Sequence, residues 1–140
     1  MGFVYFDHTG DIGLTVTASS LDELFSNAAH GLTDTITDRH LVEASESVAV
    51  DLRASAVDLL FVDWINELVY RFEAEGFLVA QARVTVARRS DHVAVTGLLE
   101  GERFEPGRHP IKTLVKAATY HALQVRHVGS EWHARVVLDV

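Results

Sequence analysis

At 140 residues and 48% hydrophobic content, the chain is long enough to bury a core without disulfides or metals, and it is read as a single domain, 1–140. It has no cysteine, which excludes disulfides, thiolate zinc sites and cysteine nucleophiles. Twelve Lys+Arg against twenty Asp+Glu give a formal charge of −8, so strong direct nucleic-acid binding is not expected, and a basic protein surface or a divalent cation is the better partner.

No basic and then apolar leader opens the sequence, and no apolar run is long enough to span a bilayer. The expectation is a soluble cytoplasmic protein with no membrane partner. The eight histidines show no i,i+4 pairing of the zinc-protease kind.

Residues 3–6 and 12–18 have strand composition and flank the polar cluster Asp7-His8-Thr9-Gly10-Asp11. Two carboxylates and an imidazole in five residues suit a loop, where Gly10-Asp11 also makes an ordinary polar turn. Only partners from elsewhere in the chain would turn that loop into a site. Ser20 with Glu23 three residues on forms a capping box, and Leu21, Leu24, Phe25, Ala28, Ala29, Leu32 and Ile36 follow at helical spacing. The spacing predicts a helix from about Leu21 to Thr33.

Val48, Val50 and Leu52 alternate as a half-buried strand should. Ser55 with Asp58 reads as a second N-cap, opening the most apolar stretch, Val57 to Phe72. A helix this apolar is expected to lie largely buried against a sheet, with Gly76 ending it in the left-handed position. Its polar stripe, Asp63, Asn66, Glu67 and Arg71, reads first as a solvated face with an i,i+4 pair.

Residues 77–87 and 92–99 pair across Arg88-Arg89-Ser90-Asp91 as a hairpin, with Glu100-Gly101-Glu102 as an interruption. Glu105 to Pro110 holds both prolines and reads as a fixed loop. The alternation over 115–125 and 132–140 predicts a C-terminal hairpin folding at Gly129-Ser130. That register puts His127 across from Trp132 and Asp139 across from Tyr120. A slip of two residues would put Asp139 opposite Ala118. In either register Lys116 and Asp139 share the more polar face. A helix over 113–124 is the competing reading.

Asp139 beside the last residue would offer several oxygens to a hard cation such as Ca²⁺ or Mg²⁺. The fold class expected is α+β: two main helices on a mixed, mostly antiparallel β-sheet with a C-terminal β-hairpin.

Four stretches together resemble the archease family, the small helper proteins of the tRNA-splicing RNA ligase. They are Asp7-His8-Thr9-Gly10-Asp11-Ile12-Gly13, Val62-Asp63-Trp64-Ile65-Asn66-Glu67-Leu68, Val115-Lys116-Ala117-Ala118-Thr119-Tyr120-His121 and the terminal Leu138-Asp139-Val140. The sequence departs at Gly10, where the family pattern has Ala, and at Leu114, where it has Glu.

The resemblance implies a non-catalytic protein that promotes guanylylation of the ligase histidine and its multiple turnover. It implies metal ligation by Asp11, Asp139 and the main-chain oxygen of Val140, and an essential role for Lys116. Asp7 and His8 would orient the ligands. The implied cofactor is a divalent ion: Ca²⁺ in a structure, Mg²⁺ or Mn²⁺ in the cell. Leu114 removes an acid beside Lys116 and puts any role of that acid in question.

Two other classes compete. A metal-dependent hydrolase lacks a nucleophile–base pair, His8 being the only near base. A chaperone-like modulator of another RNA-modifying enzyme, such as a tRNA methyltransferase, is the alternative to the ligase helper.

Overall fold

The computed structural model describes residues 2–8 and 10–140; the side chains of Phe6, Asp7 and His8 are outside that description. The elements in order are β1 (Phe3–His8), β2 (Asp11–Ala18), α1 (Leu21–Ile36), a short 3₁₀ turn (Arg39–Leu41), β3 (Glu46–Ala54), α2 (Val57–Glu75), β4 (Phe77–Arg88), β5 (Val93–Arg103), β6 (Ala117–Val128) and β7 (Glu131–Asp139). The α+β architecture is as the sequence predicts, with one refinement. The strands form two sheets, β1-β2-β7-β6 and β3-β5-β4, in which the recorded pairings are all antiparallel.

Helix α1 starts at the predicted capping box, where the Ser20 hydroxyl accepts the Glu23 N–H at 3.1 Å. Its apolar stripe from Leu21 to Ile36 is buried throughout, and this carries the helix one turn past Thr33. Helix α2 has no cap from Ser55: Ala56 is its N-cap, without a side-chain bond. Burial of Leu60, Phe61, Val62, Trp64, Ile65, Leu68 and Val69 holds it instead. Gly76 ends it with φ +67, as predicted.

The two helices lie between the sheets. α1 packs on β2 and β4, and α2 packs on β6 and on all three strands of the second sheet. Trp64 is fully buried at their junction, donates from Nε1 to the Phe25 carbonyl at 2.9 Å, and sits over Gly97. A Cβ at Gly97 would come within 2.5 Å of that indole, so only glycine leaves room.

Edge strands need protection from stray pairing. Along β4, α1 supplies it with side chains: Asp22 accepts from Val86 N–H, Ser26 donates to Ala82 O and His30 accepts from Ala82 N–H. Arg39 adds a bond to Ala80 O. On β6, Asn66 of α2 both accepts from Ala118 N–H at 2.7 Å and donates to Ala118 O at 3.3 Å. Asn66 therefore belongs to the packing and not to a solvated stripe, while Glu67 and Arg71 do pair at 2.8 Å.

Strand β5 runs through Glu100-Gly101-Glu102 without the expected interruption, and β4 absorbs the irregularity as a bulge between Val79 and Gln81. The C-terminal hairpin turns at Gly129-Ser130 and pairs His127 with Trp132, as predicted. Its far end differs. Between Thr119–Val137 and Gln124–Arg135, β6 advances five residues while β7 advances two, an excess of three. Asp139 therefore pairs with Ala117, not with Tyr120 or Ala118.

Candidate metal and partner-docking end

The face of the first sheet away from the helices ends in one row of paired residues. Asp11 opens β2 and pairs with Asp139 at the end of β7, and Asp139 pairs in turn with Ala117 at the start of β6. Directly opposed residues project to the same side with Cβ atoms about 5 Å apart, so both carboxylates stand together on the face away from the helices. The alternation confirms the side: Ile12, Leu14 and Val16 pair with Leu138, Val136 and Ala134 on the helix side. The main chain of β1 brings His8 opposite Asp11 and Asp7 opposite Ile12; the expected orienting roles of these two side chains fall outside the described residues, as does Thr9. Gly10, in the turn before Asp11, has φ +73, which favours glycine over the alanine of the family pattern.

Lys116 is beside this row, though not by the expected parity. The three extra residues of β6 are an odd number, so the face shared with Asp139 belongs to Ala117. Lys116 precedes β6, is exposed, and donates its main-chain N–H to the Asp139 carbonyl at 2.8 Å. That bond leaves the Asp139 carboxylate and the half-buried terminal Val140 as the oxygen sources on this strand. Leu114 is 59% exposed.

The connection that delivers Lys116 is tied at several points. Phe104 N–H bonds Gly76 O, Lys112 N–H bonds Ile36 O, and Glu105 O accepts from Arg108 and His109 N–H. Its anchor is a cluster formed between Glu102 of β5 and the stretch expected to be no more than a fixed loop. His109 Nδ1 accepts from Glu105 N–H at 2.9 Å, so its proton is on Nε2, which donates to Glu102 Oε2 at 3.0 Å. Glu102 also accepts from Glu43 N–H at 2.8 Å and pairs with Arg108. Burial opposes the Glu102 charge, but the bonds from Glu43, His109 and Arg108 outweigh it and hold the carboxyl below its usual range. The sequence signal for this cluster is Arg108-His109 between two prolines, too local to name Glu102 as partner.

The chain matches the family model described as "Archease protein family (MTH1598/TM1083)" over residues 3–140. The chain belongs to the archease family. The archease of Methanopyrus kandleri is 34% identical over 134 residues, covering 96% of each chain. That of Methanothermobacter thermautotrophicus is 33% identical over 139 residues, covering 99% of each. The solution structure of Methanobacterium thermoautotrophicum protein 1598 superposes with a TM-score of 0.85 at 30% identity, covering 99% of each chain.

Among the described residues, the paired carboxylates and the adjoining main chain at this end offer oxygen donors. Among the described residues no three His, Asp or Glu side chains cluster as a metal site. An ion here would rest on Asp11, Asp139, a main-chain oxygen of Val140 and water. Hard divalent ions accept such a set, and two opposed carboxylates fit one. Also among the described residues, no helix is long and apolar enough to cross a membrane.

Proposed function

We propose that this archease is a non-catalytic activator of a GTP-dependent tRNA-splicing RNA ligase, promoting guanylylation of the ligase histidine and repeated turnover. The observation that carries this reading is the register: Asp11 directly opposite Asp139, with Lys116 bonded to Asp139 through the main chain. Three segments distant in sequence thus meet at one end of a sheet.

In this reading Asp11, Asp139 and Val140 hold a divalent cation, which supplies positive charge for nucleotide phosphates. The two carboxylates repel each other across the strand pair and gain from a shared counter-ion. The exposed Lys116 reaches a phosphate in the ligase pocket as a mobile point charge. The test is single-turnover GMP transfer from GTP to the ligase. Asp11→Ala, Lys116→Ala and Asp139→Ala should each lose most of the stimulation while remaining folded. Wild-type stimulation by all three would refute the assignment.

A further inference from the structure

The face of the first sheet away from the helices carries the acidic row at one end and two arginines, Arg126 and Arg135, toward the other. From Asp139, β7 runs back through Val137 to Arg135 and His133 on the same side, about 13 Å for the four residues from Asp139 to Arg135. Thr15, Gln124, Arg126, His133, Ala134 and Arg135 line a cavity of about 170 Å³ there. Among the described residues none of the lining is an acid, although carboxylates outnumber Lys and Arg in the chain by twenty to twelve. Glu131 approaches from outside the lining, 3.5 Å from His133 Nε2.

The β6 bulge builds this cavity. Before it, Ala117 and Thr119 face outward; after it, the odd excess of residues brings out Gln124, opposite Arg135, and Arg126, opposite His133. An unbulged strand would turn Leu123 and Val125 outward, whereas both pack against the core. Ala122 holds φ +55 within the bulge, a conformation L residues rarely adopt, so the device is kept at a conformational cost.

We propose that this cavity binds a phosphodiester group of the RNA strand held by the partner ligase. The proposal rests on the ligase reading, in which the acidic row faces the nucleotide pocket of an enzyme whose substrate is RNA. Two guanidinium groups with Thr15 and Gln124 supply the donors a phosphodiester accepts. The two guanidinium groups address the phosphate rather than a base edge, so the contact is to the RNA backbone.

The test is titration of the isotopically labelled full chain with single-stranded oligouridylate at low salt, followed by amide chemical shifts. Shifts should centre on Thr15, Gln124, Arg126, His133 and Arg135. The double variant Arg126→Gln/Arg135→Gln, with unchanged melting temperature, should bind about tenfold more weakly, and the double Lys variant should recover most of the loss. The salt slope should fall by about 1.4, from two lost phosphate contacts at about 0.7 each. With the ligase, the Gln variant should raise KM for RNA and leave GMP transfer at the wild-type level. Absence of RNA shifts at the cavity, equal binding by the Gln variant, polyglutamate binding as tight as RNA, or binding of inorganic phosphate alone would each overturn the proposal. Failure of the wild-type chain to stimulate GMP transfer would overturn the ligase reading instead, and the RNA titration is read independently of it.

Discussion

Two polar clusters border the connection from β5 to β6, and they are built on opposite principles. At Glu102, His109 and Arg108 the carboxylate has three donors, and the imidazole uses both nitrogens inside the protein. At the other end of the connection, two carboxylates are paired across β2 and β7 at the end of the sheet, with an exposed lysine alongside. The first arrangement satisfies itself and rigidifies the chain. The second sets two carboxylates opposite each other across a strand pair, an arrangement that an outside cation would ease. The contrast separates a cluster that serves stability from one for which we propose a binding role.

The largest expected effect comes from breaking the closed cluster. His109→Ala removes a donor to Glu102, strands the Glu105 N–H and leaves a cavity, and should cost about 3 kcal/mol in urea unfolding. At temperatures where the variant is folded, GMP transfer should be close to wild type; loss of transfer without loss of stability would erase the distinction between the clusters. Next, Asn66→Ala frees both main-chain groups of Ala118 on an edge strand, for about 2 kcal/mol. Hydrogen exchange at Ala118 should rise with it.

Acid should weaken the closed parts of the fold first. His30 accepts from Ala82 N–H, and burial followed by repulsion from Arg39 lowers its pKa to about 4. The unfolded chain takes up that proton below about pH 6.5 and the folded chain does not, so stability falls between about pH 6.5 and 4. The depressed Glu102 acts in the same direction: its contribution is present above its unfolded pKa and is lost as pH falls through the folded value. His30→Gln keeps an acceptor for Ala82 and should flatten the slope in the upper window. An unchanged slope would remove His30 from the account.

The smallest effect belongs to the open row. Asp139→Asn removes the repulsion with Asp11 and should raise stability without metal by about 0.5 kcal/mol. Millimolar Ca²⁺ should raise the melting temperature of the wild type and leave that of the variant unchanged. Equal shifts in both would place the ion elsewhere.

Local chemistry alone determines much of this protein. The Ser20–Glu23 box, the apolar stripes of both helices, Gly76 and the turn at Gly129-Ser130 follow from near-neighbour geometry, so they are legible in the amino-acid sequence. Asp11, Asp139, Val140 and Lys116 are named by the family resemblance, and the sheet register brings them together. Tertiary structure alone decides the rest. Asn66 reads as a surface polar residue because its partner Ala118 lies 52 positions away. His109 reads as part of a loop because Glu102 is across a turn, on a strand that looks interrupted. The face expected for Lys116 is wrong because alternation assumes an unbroken ladder, and three extra residues in β6 reverse its parity. The opening Asp-to-Asp stretch supplies one carboxylate by sequence; the long-range pairing of β2 with β7 supplies its counterpart, and no local pattern encodes that register.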